Sequence, residues 1–523
     1  MPINTHPIII NEVKNVIEYL HVNAIEYPTK VAIQHKRGFI TYADLEKEVL
    51  QTAAYFQSKG ISNGDRVLVF VPMSIDLYRI VLALFKIGAT AVFLDEWVSK
   101  ERMELCCKIA ECKAFIGIWK ARLFSFFSKE LRKIPIKLGV NYKKINTKQT
   151  FTYQTNPNDT ALITFTTGST GIPKAAKRTH AFLLEQFNAL TEEISLTPND
   201  VDLTMLPIFV LCNLGIGNTT IIPEFKATKP DTLNPALLFK LINQHKINRI
   251  SASPFVIKKM AVYALDNHIY NTKLKHIFTG GAPVFPKEAK LYEKAFSNSN
   301  VEILYGSTEA EPISKINIKT LIKHETDLIK NGLLVGKPTT LIDVKIIKIT
   351  NEVMKCHTPE DMNLLEVSKK EIGEIAVSGS HVLKEYYNNN EALLRNKIFT
   401  GKKVWHRTGD SGYLDNEGSL FLTGRCSQII WKDDQLIAPF LYENFLQTIS
   451  GVEMGTILDV NNALTIVIEL SAKANKNHIQ QEIKNAEMVY DTIVYISKIP
   501  RDPRHNSKID YEKLKEQLIK QLK

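Results

Sequence analysis

The residues Thr166-Thr167-Gly168-Ser169-Thr170-Gly171-Ile172-Pro173-Lys174 place four hydroxyls, two glycines and one lysine in a single run. Gly168 and Gly171 can take positive φ and let backbone N–H groups converge on an anion. The hydroxyls of Thr166, Thr167, Ser169 and Thr170 add donors and Lys174 adds a positive charge, so this segment suits the holding of phosphates. It is not a Walker A loop: Lys174 follows Pro173 instead of a glycine, and Ala175 replaces the Ser or Thr that would bind magnesium. That argues against a P-loop GTPase or kinase. A glycine-serine-threonine run also makes a plain polar turn, so the segment needs company before it means catalysis.

Other runs supply different chemistry. Tyr305-Gly306-Ser307-Thr308-Glu309 offers an aromatic face, a flexible glycine, two hydroxyls and a carboxylate. Later come Trp405-His406-Arg407-Thr408-Gly409-Asp410-Ser411-Gly412-Tyr413, then Gly424-Arg425, and near the end Arg504-His505-Asn506-Ser507-Lys508. Taken singly, Glu309 reads as a surface acid beside Glu311, Asp410 as a turn residue before Gly412, and Lys508 as one lysine of a basic tail. Their combination is what points to a site.

The elements that must position these groups follow from the apolar pattern. Ala161-Leu162-Ile163-Thr164-Phe165 is short, apolar and partly β-branched, and Leu183, Phe187, Leu190 and Ile194 recur at helical spacing, so strand, phosphate loop and helix are expected in that order. Val67-Leu68-Val69-Phe70-Val71 and Ala91-Val92-Phe93-Leu94 alternate with helical stretches such as Leu77 to Phe85, the texture of parallel sheets covered by helices. After Gly336-Lys337-Pro338 the runs shorten, with strands expected at 343–349 and 373–378, in a β-rich subdomain.

The motifs, in this order, resemble the adenylate-forming enzymes: acyl- and aryl-CoA synthetases, luciferases and peptide-synthetase adenylation domains. Gly38-Phe39-Ile40-Thr41-Tyr42-Ala43-Asp44-Leu45 resembles that superfamily's opening segment. The resemblance implies an α/β protein with a large N-terminal domain of two α/β sheets plus a β-barrel, over 1–424, and a small mobile α+β C-terminal domain, over 425–523, with the hinge near Gly424-Arg425-Cys426-Ser427. It implies that ATP and Mg2+ are used. The loop Thr166 to Lys174 would close over the β- and γ-phosphates, Glu309 would hold magnesium, and Thr308 would donate to the α-phosphate. Tyr305 would lie against adenine, with Gly280-Gly281-Ala282-Pro283 as the opposite wall. Asp410, assisted by Arg425, would accept from the ribose hydroxyls. Lys508 would bridge the substrate carboxylate and the α-phosphate, although Ser507 stands where the family usually has glycine.

By the same resemblance the substrate pocket includes Phe209, Val210, Asn213 and Gly306, together with Ser253-Pro254-Phe255 and Glu311-Pro312-Ile313-Ser314. These segments are largely apolar, and no acid lies between Ile208 and Gly215, where amino-acid-activating domains place one. A fatty acyl chain is expected. Tyr305 to Pro312, Trp405-His406-Arg407, Ala114-Phe115-Ile116-Gly117-Ile118 and Arg504 to Lys508 resemble one branch, the olefin-pathway β-lactone synthetases. In that branch a β-hydroxyl on the activated acid attacks the acyl-AMP, so no thiol is needed. Asp434, in Ser427-Gln428-Ile429-Ile430-Trp431-Lys432-Asp433-Asp434-Gln435, falls where CoA users carry a glycine for the pantetheine arm. A lactone-forming second step is therefore expected, with CoA or an acyl carrier protein as the alternative acceptor. A degenerate adenylate-binding protein is a remoter reading, motivated by Ala175 and Ser507.

Composition fits a globular enzyme: 523 residues, 44% hydrophobic and 23% charged, exceed a single core and predict two or more folding units. The net charge of +11 comes from scattered lysines with no polybasic block, so no nucleic-acid partner is expected. The first residues lack the basic-then-apolar order of a secretory signal, and the apolar stretch 203–222 is interrupted by Pro207, Asn213 and Asn218, so a cytoplasmic protein without an integral membrane segment is expected. Six cysteines do not suggest a disulfide framework; Leu105, Cys106, Ile109 and Ala110 read as one helix face, which makes Cys106, Cys107 and Cys112 core thiols before metal ligands.

Overall fold

The computed structural model describes residues 13–36, 38–94, 99–142, 154–167, 173–225, 229–270, 273–325, 331–433, 435–472, 474–501 and 509–521. The apolar runs become strands Arg66–Phe70 and Thr90–Phe93, at the centre of a six-stranded sheet whose order is Ile136–Leu138, Ala114–Gly117, Arg66–Phe70, Thr90–Phe93, Thr160–Thr167, Pro173–Thr179. Its pairs are parallel except the last. Both faces are covered, which is why strand residues such as Val67, Leu68, Ala91 and Val92 are all buried.

A second, 14-stranded sheet has two characters. Val31–His35, Thr219–Ile221, Val201–Thr204, Arg249–Ala252, His276–Gly280 and Asn300–Ser307 are parallel neighbours under helices. From Ala310–Asn317 onward the pairing turns antiparallel, through Leu333–Pro338, Leu420–Arg425, Lys403–Leu414, Gly373–Gly379 and Ile342–Ile347. That is the β-rich subdomain expected after residue 336.

The C-terminal part builds its own layer. Val452–Val460, Ala463–Leu470 and Thr492–Ile496 form a three-stranded sheet, packed by helices Pro439–Thr448 and Lys476–Asn485 around Phe445, Leu446, Ile466 and Ile479, and by Tyr511–Gln521 around Val467, Ile496, Leu514 and Leu518. It touches the larger body where Lys287 Nζ donates to the Val452 carbonyl at 2.9 Å and the rings of Phe285 and Phe440 lie 5.9 Å apart.

One expectation needs correction. Between the phosphate loop and the helix His180–Ile194 lies a further strand, Pro173–Thr179, antiparallel to Thr160–Thr167. Its alanines and lysines have weak β-propensity, but the strand is held on both edges: by Thr160–Thr167, and by the chain at 385–387, where Tyr387 N donates to Ala175 O at 2.8 Å. Thr179 then caps the helix, accepting from Phe182 N at 3.1 Å. The described residues on either side of the phosphate run are therefore paired antiparallel strands, and the helix begins only at His180. A second expectation shifts by one position: on the helix Lys100–Ala110, Cys106, Cys107 and Ala110 are buried while Leu105 is exposed. No helix among the described residues is long and apolar enough to cross a membrane.

Candidate active site

Two hairpins from different sheets face each other. In one, Thr166 pairs with Lys174 and Thr167 with Pro173; in the other, Ser307 pairs with Ala310, so Thr308 and Glu309 form the tip. Thr166 Oγ1 donates to Glu309 Oε1 at 3.3 Å, and Tyr386 OH donates to the same oxygen at 3.2 Å. Leu383 N donates to the Glu309 carbonyl at 2.7 Å, which fixes the tip from behind. Among the described residues both donors are on Oε1, which leaves Oε2 to face a cation. Magnesium prefers such a carboxylate oxygen combined with phosphate oxygens, so the donor set fits that ion.

Cations surround this carboxylate. Lys174 Nζ donates to Asn396 Oδ1 at 3.0 Å and lies 5.7 Å from the centre of the Tyr386 ring. Burial pushes its ammonium pKa down, and the Glu309 charge opposes that. Lys397, fully buried, lies 5.5 Å from the same ring and donates to the Leu383 carbonyl. Burial pushes its pKa down to about 7, against the pull of Glu309. Sequence reasoning missed Tyr386, Asn396 and Lys397. Arg395-Asn396-Lys397 reads as a polar surface run, and nothing in its periodicity shows that Lys397 points inward.

The nucleoside half rests on strand register. Asp410 and Arg425 stand directly opposite each other on Lys403–Leu414 and Leu420–Arg425. Arg425 Nη1 donates to Asp410 Oδ1 at 2.5 Å and Tyr305 OH donates to Oδ2 at 2.8 Å. A carboxylate offers about four acceptor sites, so Asp410 retains capacity for a ligand diol. Gly409 takes φ +71° in the turn, and its N–H donates to Glu374 Oε1 at 3.2 Å. Buried Glu374 in turn accepts from Arg407 Nε at 2.9 Å and Nη2 at 2.6 Å. Gly280 closes the other side: a Cβ there would meet the Leu304 carbonyl at 2.5 Å, so only glycine lets the turn Gly280-Gly281-Ala282-Pro283 lie against the strand carrying Tyr305.

Around the expected substrate pocket, Gly306 is similarly constrained, since a Cβ would lie 2.8 Å from Ala310 O and 3.1 Å from Glu311 Cα. Arg178 Nη2 donates to the Thr308 carbonyl at 3.0 Å. Phe209, Val210 and Asn213, on the helix Pro207–Ile216, are buried, and Asn213 Nδ2 donates to Asp202 Oδ2 at 2.9 Å. An apolar pocket beside that helix is lined by Tyr19, Leu183, Phe187, Leu211, Cys212 and Gly215, among others. Gly168, Ser169, Thr170, Gly171, Asp434 and Lys508 lie outside the described residues.

A hydroxyl-rich hairpin, an opposed carboxylate and a preassembled Tyr305–Asp410–Arg425 triad suit a nucleotide whose phosphates point toward Glu309. In agreement, residues 20–387 match the AMP-binding enzyme family, and the chain belongs to it; it is an adenylate-forming ligase. Among curated relatives, an olefin beta-lactone synthetase of Xanthomonas campestris pv. campestris is 27% identical over 91% of this chain and 90% of its own length. A 2-succinylbenzoate–CoA ligase of Enterococcus faecalis is 24% identical over 80% of each. The fold is that of the amide bond synthetase McbA from Marinactinospora thermotolerans, with a TM-score of 0.81 at 17% identity, covering 96% of this chain and 99% of that one.

Proposed function

We propose that this ligase activates a fatty or β-hydroxy fatty acid with ATP and then closes a β-lactone. The observation that carries the first step is the convergence of Thr166, Tyr386 and Glu309 at one end of the site and Tyr305, Asp410 and Arg425 at the other. A carboxylate oxygen of the acid attacks the α-phosphorus, the bond to the bridging oxygen breaks, and pyrophosphate leaves. Thr308 and Lys508 hold the α-phosphate, and Lys174 with the Thr166–Gly171 loop holds the departing phosphates. Glu309 would hold Mg2+, which when bound supplies charge neutralisation between the phosphates.

In the second step the β-hydroxyl oxygen attacks the acyl carbon, the bond to AMP breaks, and the hydroxyl proton is released. Positioning replaces an external nucleophile here. Support comes from the olefin beta-lactone synthetase, which matches over nearly the whole chain, and from Asp434 in the place of a pantetheine-passing glycine. The CoA ligase relative keeps a second reading in play, transfer to CoA or to a carrier-protein thiol after the same first step. Fatty-acid-dependent ATP–pyrophosphate exchange tests adenylation; free CoA that remains unconsumed while acid turns over separates the two second steps. Exchange that no carboxylic acid stimulates would leave only an adenylate-binding protein.

A further inference from the structure

Glu311 is the acid that the first-step chemistry does not use, and its surroundings are unusual for a fatty acyl pocket. It sits on the strand Ala310–Asn317, immediately across from Gly306, where a glycine Cβ would approach its Cα to 3.1 Å. The residue is half-buried, burial pushes its carboxyl pKa up, and the groups behind it, Gln186 and Arg178, are buried. Gln186, 0% exposed on the helix His180–Ile194, donates through Nε2 to Glu311 Oε2 at 3.4 Å. That assignment of the amide is the chemically sensible one, because the reverse would set a carbonyl against a carboxylate. It leaves Gln186 Oε1 buried without a hydrogen-bond partner among the described residues, and Arg178 Nε is in the same position. Groups left this way cost stability and are retained where they hold something in place.

We propose that Glu311, held by Gln186, is a polar subsite that accepts a hydrogen bond from a hydroxyl on the acyl chain next to the reacting carboxyl group. This rests on the fatty-acid reading above and names the feature of the substrate that the site reads. Placement argues for it. Glu311 lies on the Gly306 side of the hairpin whose tip carries Thr308, so its reach falls beside the carboxyl group and not at the far end of the chain. A small apolar pocket lined by Leu183, Phe187, Cys212 and Gly215 lies in the same region, and the Glu311 charge is felt at the Cys212 thiol. Charge argues for a neutral donor. Arg178 lies within electrostatic reach of Glu311 and Glu309, and Lys174 and Lys397 add positive charge beside Glu309, so the region is not a bare anionic site for an ammonium group. In this assignment Glu311 touches the ligand, and Gln186 is a positioning residue.

The test compares ATP–pyrophosphate exchange by the full chain on tetradecanoic, 3-hydroxytetradecanoic and 3-aminotetradecanoic acids. The expected result is a kcat/KM for the hydroxy acid at least about tenfold above that for the plain acid, since a site built to bond a hydroxyl rejects an analogue lacking it. Glu311→Leu should bring that ratio to about one, Glu311→Gln, which keeps an acceptor oxygen, should retain most of it, and Gln186→Leu should raise KM for the hydroxy acid more than it lowers kcat. ATP-dependent thermal shifts identify folded variants, and Gln186→Leu carries the ratio test should Glu311→Leu not fold. Equal use of the plain and hydroxy acids by the wild type, an unchanged ratio in Glu311→Leu, or preference for the amino acid would overturn the assignment. Exchange with none of these acids would overturn the fatty-acid reading and this subsite with it. A hydroxy-acid preference that ends in a thioester would uphold the subsite and remove only the lactone step.

Discussion

Glu309, the acid proposed to hold magnesium, is fixed in place by its neighbours. Its Oε1 is saturated by Thr166 and Tyr386, so the carboxylate is oriented before any ligand arrives. Glu309→Ala should therefore lower the rate of pyrophosphate release by roughly 10²- to 10³-fold while changing ATP affinity much less, as measured by exchange kinetics beside equilibrium titration. Equal losses in both would assign Glu309 a ground-state role. Tyr305, Asp410 and Arg425 were legible because each sits in a compact motif of mixed chemistry. Tyr386, Lys397 and Gln186 were not: each is a single polar residue in an unremarkable run, and only the fold turns it inward. No local pattern distinguishes a buried lysine from the many exposed ones in so basic a chain.

Elements decide how rigidly those residues are held. The turn at Gly409 and Asp410 hangs on Glu374, which is itself anchored by Arg407, and Arg407 also donates to the carbonyls of Thr350, Glu352 and Arg395. Glu374→Ala strands a buried guanidinium, so urea unfolding should show a loss of about 3–5 kcal/mol, accompanied by a raised KM for ATP. The helix His180–Ile194 carries a different liability at its start. His180 is fully buried, neither ring nitrogen has a partner among the described residues, and burial pushes its pKa down to about 4. The unfolded chain takes up that proton near pH 6.5, so the contribution of neutral His180 is complete above that pH and is lost as the pH falls toward 4. His180→Phe should flatten the stability profile between those values by up to about 3 kcal/mol, read from urea midpoints; an unchanged slope would place the acid sensitivity elsewhere. At this scale the parallel strands and the helix at Leu183 to Ile194 were legible from apolar spacing. The strand Pro173–Thr179 was not, because pairing at both its edges, and not its own composition, makes it a strand.

At the scale of the whole molecule, a large body of two sheets is followed by a small C-terminal layer with its own core. The composition and the change of texture after residue 336 indicated separate units; how the C-terminal layer meets the body depends on contacts such as Lys287 with Val452 that no sequence pattern marks. Lys508 follows the described strands of that layer in sequence and is proposed to act on the reacting phosphate, so a change there should spare nucleotide binding. Lys508→Ala is expected to keep ATP affinity within about threefold while lowering adenylation by roughly 10²-fold or more, measured by titration and exchange; unchanged exchange would take Lys508 out of the adenylation step. The central claim is that one chain both activates the acid and closes the ring. Its most direct test is mass spectrometry of the products formed from 3-hydroxytetradecanoic acid, ATP and magnesium, with and without CoA. Pyrophosphate, AMP and a β-lactone are expected in equal amounts whether or not CoA is present; an acyl-CoA thioester formed only when CoA is added, with no lactone in its absence, would contradict ring closure by this chain.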